Sequence, residues 1–240
     1  MKLSRKFAAI AGAACLAVGA GTANAAVSLE LGLALDESGS ISAAEFNLQR
    51  NAYINVLSDL SVLPRNGTIA IGVKKFGSAT TNVFTTAVIT NANHGALITA
   101  LTNMLKIGGG TNIGSAINAF TTEITTNGII STRQLIDVST DGFGTVGTSR
   151  QDAIAAGIDQ INCIGIGPGA DCTVVQFGPG SFSLQANTFA EFETALRRKI
   201  VREVQGGVPE PDTWMMMILG FGVIGIAVRR RNASNQPSFV

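Results

Sequence analysis

Residues 27–40 read Val-Ser-Leu-Glu-Leu-Gly-Leu-Ala-Leu-Asp-Glu-Ser-Gly-Ser, and the rest of the folded region is arranged around this stretch. The largely apolar run from Val27 to Leu35 predicts a buried strand that ends at Asp36. From Ser42 to Leu63 the spacing becomes helical, with Phe46, Tyr53, Ile54, Leu57 and Leu60 near one stripe. Ser42-Ala-Ala-Glu45 has the form of a capping box at that helix's start. Further strands are predicted at 68–76, 81–86, 133–139, 161–166 and 182–186, and further helices at 94–105, 112–126, 150–160 and 189–204. Alternation of strands and helices predicts an α/β fold: a doubly wound, mostly parallel central sheet flanked by helices. In such sheets the functional crevice lies at the carboxyl ends of the strands. Residues 173–185, rich in Gly, Ser and Phe, fit either an edge strand or a long surface loop.

Composition narrows the function. The 240 residues are 46% hydrophobic and only 14% charged, too apolar for a disordered chain and too interrupted by Gly for a coiled coil. The net charge of +1 hides a division, because Lys2, Arg5 and Lys6 open the chain and Arg229, Arg230 and Arg231 stand near its end. Between Val27 and Val204 eleven basic residues meet fourteen acidic ones, leaving that region at −3. It offers no basic face for phosphates, so a nucleic-acid partner is excluded.

The two ends read as address labels. Lys2, Arg5 and Lys6, the apolar stretch Phe7–Ala20 and the small-x-small triplet Ala23-Asn24-Ala25 together form a secretory signal peptide over residues 1–25. Cys15 has Gly12 three residues before it, where a lipoprotein signal carries Leu or a similar residue. Export leaves Cys163 and Cys172 as an even pair in an oxidising compartment, with Gly165, Gly167, Pro168 and Gly169 between them to let the chain turn back. A loop-pinning disulfide is the expectation, and two free thiols are the alternative. At the other end Val208-Pro209-Glu210-Pro211 precedes an apolar run from Trp214 to Val228 and then Arg229-Arg230-Arg231. As a helix that run spans about 22 Å, short against a hydrocarbon core of ~30 Å.

These three ordered elements, over residues 208–231, resemble the PEP-CTERM sorting signal of Gram-negative bacteria. The resemblance implies insertion into the inner membrane through the hydrophobic helix, and cutting near Pro209-Glu210-Pro211 by an exosortase, a membrane Cys protease. Release to the cell surface or extracellular matrix would follow. An ordinary tail anchor is the alternative. The expected organisation is a signal peptide at 1–25, a folded domain at 27–204, a linker with Pro-Glu-Pro at 205–212, a hydrophobic helix with its Arg cluster at 213–231, and a short cytoplasmic tail at 232–240.

Three predicted loops at strand carboxyl ends carry unusual residues: Asp36-Glu37-Ser38-Gly39-Ser40, Thr111 after the glycine run 108–110, and Asp141-Gly142. In order, spacing and flanking elements they resemble the DxSxS, Thr and Asp pattern of the metal-ion-dependent adhesion site (MIDAS) in von Willebrand factor type A domains. The similarity spans about residues 27–204. It implies a Rossmann-like sheet and a divalent cation, Mg2+ with Mn2+ or Ca2+ as alternatives, held by Asp36, Ser38, Ser40, Thr111 and Asp141. The implied partner is a protein or polysaccharide that presents a carboxylate to the cation. The chemistry is suitable, since Mg2+ wants six oxygens and keeps water readily. Helix starts near Ser42 and Asn112 favour an anion there as well.

Each residue has a plainer reading alone: Asp, Ser and Thr at helix starts are commonly caps, and Asp141-Gly142 is commonly a turn. Glu37, between ligands, is expected to point elsewhere. Lys74-Lys75 and the run Arg197–Lys199 are expected to be solvated, His94 to lie at the surface, and Asp137 to be a strand-end residue. Catalysis finds little support. The chain has one His and no GxSxG elbow, and Gly108-Gly-Gly-Thr-Asn-Ile-Gly lacks the Lys of a phosphate-binding loop. A metal-dependent hydrolase remains the enzymatic alternative. A matrix scaffold whose cation only stabilises the fold is the structural one.

Overall fold

The computed structural model describes residues 27–142 and 144–206. The expected signal peptide, Pro209, Glu210, Pro211, Arg229, Arg230, Arg231 and the expected hydrophobic helix lie outside them. Among the described residues no helix is long and apolar enough to cross a membrane.

The apolar run 27–35 forms β1 (Leu29–Asp36), buried along its whole length. After it come α1 (Ala43–Ser58), β2 (Asn66–Phe76), β3 (Thr80–Thr90), α2 (His94–Thr102), α3 (Ile113–Thr126), β4 (Gln134–Thr140), α4 (Ser149–Ala155), β5 (Gln160–Ile166), β6 (Ser183–Ala186) and α5 (Phe189–Val204). One six-stranded sheet runs in the order β3-β2-β1-β4-β5-β6. All neighbours are parallel except β2 and β3, whose three-residue connection permits only an antiparallel return. With β1 central and crossovers on both sides, the sheet is doubly wound as the alternation predicted.

Leu29, Leu31, Leu33 and Leu35 face a core shared with α1, α2 and α5, while Ala34, Ile136 and Val138 face a second core under α3 and α4. Phe120 of α3 packs so closely on the sheet that a Cβ at Gly32 would lie 2.5 Å from its ring. The capping box at Ser42 forms, Glu45 N donating to Ser42 Oγ and Ser42 N to Glu45 Oε2. α1 stops at Ser58, five residues before its expected end, because Asp59 caps it and its Oδ1 takes Ser61 N–H and Oγ–H into a turn. Leu60 therefore leaves the apolar stripe and is 60% exposed. α4 likewise ends early, ahead of Gly157 at φ +111°. Residues 173–185 divide between the two expectations: Phe177 bridges to Ile161, turns follow at Gly178 and Gly180, and β6 begins at Ser183.

Cys163 and Cys172 form a disulfide that ties the centre of β5 to a short 3-10 turn at Cys172–Val174.

Four expectations about polar residues are corrected. Lys74 and Lys75 are buried, Lys74 paired with Glu123 and Lys75 with Glu37. Lys199 is fully buried between Asp137 and Glu203, and Asp137 stands mid-strand in β4, not at its end. His94 is buried too, its Nε2 2.9 Å from the Leu57 carbonyl oxygen. In each case the partner comes from a different element or an adjacent helical turn, which local charge pattern does not reveal.

Candidate metal centre

Parallel β1 and β4 end side by side, with Leu35 opposite Ser139, so the loops that follow them emerge together. Asp36 is fully buried at the base of the group. Its Oδ1 accepts the Ser38 N–H at 2.7 Å and its Oδ2 the Thr140 hydroxyl at 2.6 Å. Burial pushes its carboxyl above the ordinary value, against those hydrogen bonds. From there the polar groups climb to the surface. Ser38 Oγ lies 3.0 Å from Ser40 Oγ, and Ser40 Oγ donates to Asp141 Oδ1 at 2.8 Å, joining residues 101 apart in sequence. Ser38 is buried and Ser40 exposed, so the set opens to solvent at its upper end.

Thr111 arrives from the third loop. Gly39 N–H donates to Gly109 O at 2.8 Å, which lays that loop against the DESGS turn. Asn112 then caps α3, its side chain accepting Ser115 N–H. Thr111 is half-buried and its carbonyl accepts Thr145 N–H, but its hydroxyl makes no hydrogen bond to the other four side chains. The structure thus links Asp36, Ser38, Ser40 and Asp141 by hydrogen bonds, while the loop of Thr111 meets the DESGS turn through the Gly109 carbonyl and not through Thr111 itself.

Among the described residues no three His, Cys, Asp or Glu side chains gather into a metal-binding cluster. The set at the loops has only two carboxylates, the remaining oxygens being hydroxyls. An all-oxygen set with few charges fits a hard divalent cation better than a soft one. A groove begins beside Asp141, lined by Glu45 and Leu48 of α1, Ile166 at the end of β5, Pro168 just after it, and Phe189 of α5.

Sequence reasoning missed the supports. Thr140, which fixes Asp36, stands next to Asp141 and could have been found by adjacency. Gln49 could not: it donates to the Asp36 carbonyl at 2.8 Å and accepts from Ser139, and nothing in its surroundings in α1 marks it.

The family described as "Protein of unknown function (DUF1194)" matches residues 26–208, and the PEP-CTERM protein-sorting motif matches residues 207–231. No curated protein matches the sequence. Among solved structures the chain is similar to proximal thread matrix protein 1 from the mussel byssus with a zinc-occupied MIDAS motif: 19% identity, TM-score 0.60, covering 75% of this chain and 48% of that one. It is similar to a von Willebrand factor type A protein from Catenulispora acidiphila at 16% identity and TM-score 0.59, covering 75% and 43%. BatB from Bacteroides thetaiotaomicron gives 16% identity and TM-score 0.54, covering 74% and 99%. At these identities the likeness is one of fold, and the fold is the von Willebrand type A fold. The chain spans about half the length of the mussel protein, 48%.

Proposed function

The chain belongs to the DUF1194 family, and we propose that it is an exported binding domain that engages its partner through a divalent cation held by Asp36, Ser38, Ser40, Thr111 and Asp141. The observation that carries this reading is the Ser38–Ser40–Asp141 chain of hydroxyl and carboxylate oxygens above buried Asp36. Helix caps alone would not need residues from two distant loops to share hydrogen bonds. Ser38, Ser40 and Thr111 offer neutral oxygens, and Asp36 and Asp141 supply the negative charge. Mg2+, Mn2+ or Ca2+ bound there would offer a coordination position to a carboxylate on a protein or polysaccharide. The chain's own part is orientation: Ser38 N–H and Thr140 fix the Asp36 carboxylate, and Ser40 fixes Asp141. The sorting motif at 207–231 supports export, transient anchoring in the inner membrane of a Gram-negative bacterium, and processing by an exosortase before display at the surface or in the matrix.

Titration calorimetry with Mg2+ and Mn2+ tests the site, run beside an Asp36→Ala, Ser38→Ala double variant. One ion per wild-type chain and none for the variant is expected. A wild type that binds neither ion overturns the reading and leaves the loops as caps. The mussel relative is a matrix protein, which favours a second reading as a scaffold whose cation only stabilises the fold. Both readings predict a higher melting temperature with Mg2+. Only the first predicts chelator-sensitive retention on carboxylate-bearing polymers or peptides.

A further inference from the structure

Glu37 stands between two proposed ligands, yet its side chain turns into the fold and is 2% exposed. Its Oε2 accepts from Lys75 Nζ at 2.8 Å and from the Ile107 backbone N–H at 2.6 Å. Lys75 is itself buried near the end of β2. Three separate parts of the chain therefore meet at one oxygen: the loop after β1, the last residues of β2, and the irregular segment between α2 and α3 that carries Thr111.

That segment has no regular hydrogen bonding of its own, and Gly108 and Gly109 within it take φ of +89° and +110°. It is held from outside. Gly39 N–H donates to Gly109 O, Asn112 N–H to Gly77 O, and Gly110 N–H to Ser78 Oγ. A Cβ at Gly77 would lie 2.4 Å from Gly108 O, so the segment rests directly on the β2–β3 turn. Two contacts of the segment involve ionised groups: the one at Glu37, and Arg50 Nη1, which donates to the Met104 carbonyl at 3.3 Å where the segment leaves α2. A charge-assisted hydrogen bond is roughly twice as strong as a neutral one. A buried ion pair is also costly to form, which makes its presence here a question about position more than stability.

We propose that Glu37 is a positioning residue for the cation site. With Lys75 fixing its carboxylate, it moors the Ile107 amide and so sets where Thr111, four residues on, stands relative to Ser38 and Ser40. This rests on the cation-site reading above, and the test separates the two.

Mn2+ affinity by calorimetry and hydrogen exchange of the Ile107 amide are measured on the full chain as wild type, as Glu37→Gln, and as a Glu37→Ala, Lys75→Met double variant. The double variant removes both charges, so no unpaired ion is left buried, but it leaves the Ile107 amide without its acceptor. Its Mn2+ affinity is expected to fall on the order of 10–100-fold, the usual effect of losing an outer support of a metal ligand, with faster exchange at Ile107. Glu37→Gln keeps an acceptor oxygen and is expected to retain both the affinity and the protection. A double variant that binds Mn2+ as the wild type does overturns the positioning role while leaving the cation site standing. A fall on the order of 10-fold or more in a Glu37→Gln variant that keeps the wild-type protection at Ile107 overturns it too, since charge and not position would then matter; this arm needs no comparison with the double variant and decides even if that variant fails to fold. A wild type that binds no Mn2+ overturns the cation site and this role with it.

Discussion

Asp137 is fully buried in β4, facing Lys199 and Glu203 of α5 and near Tyr53 of α1. Asn162 of β5 donates to Glu203 at 2.8 Å and closes the group. One ammonium thus serves two carboxylates. Burial first, and the Glu203 carboxylate second, push Asp137 from 3.8 up to about 7, against the pull of Lys199. A carboxyl whose value rises on folding holds its proton more tightly in the native state. Its contribution to stability is therefore complete below pH 3.8 and is lost as the pH climbs through about 7. The expected outcome is a urea midpoint that falls between about pH 4 and about pH 7. Asp137→Asn should flatten that slope, because Lys199 and Glu203 then form a neutral pair by themselves. A wild-type midpoint that does not change over this range would count against the assignment.

At the scale of elements the clearest case is the link between β5 and the turn at Cys172–Val174, closed by a disulfide across a sequence separation of 9. Loop-closure entropy for so short a loop amounts to about 2–3 kcal/mol. A Cys163→Ala, Cys172→Ala double variant should lose about that much in urea unfolding and keep its cation affinity, since neither residue touches the DESGS loop. The pair was legible in the sequence because export and an even cysteine count suffice to pair two thiols. α5 was legible from end to end, as Phe192, Leu196 and Ile200 repeat at helical spacing toward the core. Lys199 on that same helix was not, because its neighbours Arg197 and Arg198 make it look solvated while its partner Asp137 lies in β4. The site divides in the same way. The pattern DxSxS, Thr, Asp could be read from its residue types and order, with the DxSxS loop and Asp141 at the carboxyl ends of β1 and β4; Thr111, expected after a strand as well, instead follows α2. Glu37 could not, because its partners Lys75 and Ile107 are brought to it only by the pairing of β1 with β2 and the path of the loop before α3.

Across the whole molecule the two poles of the sheet are assigned different tasks. Val27 bridges to Ser131 ahead of β4, and a Cβ at Gly206 would lie 3.5 Å from the guanidinium of Arg133, the residue just before that strand. Arg133 also donates to the Glu203 carbonyl at 2.6 Å, fixing the end of α5 there. Both limits of the described domain thus stand at the amino ends of the central strands, whereas Asp36, Ser38, Ser40 and Asp141 follow their carboxyl ends. β1 has eight residues, so about 26 Å of strand separates the poles. The sorting motif begins at residue 207, directly after Gly206, and is therefore joined to the pole away from the candidate site. An attachment at that end should leave the loops free. Replacing the residues after Gly206 with a bulky folded protein is expected to leave Mn2+ affinity unchanged. The same protein inserted in the turn after β4, next to Gly142, is expected to abolish it. Equal losses from both fusions would show that the cation is held elsewhere than at the loop pole, and equal retention would free Asp141 of any part in holding it.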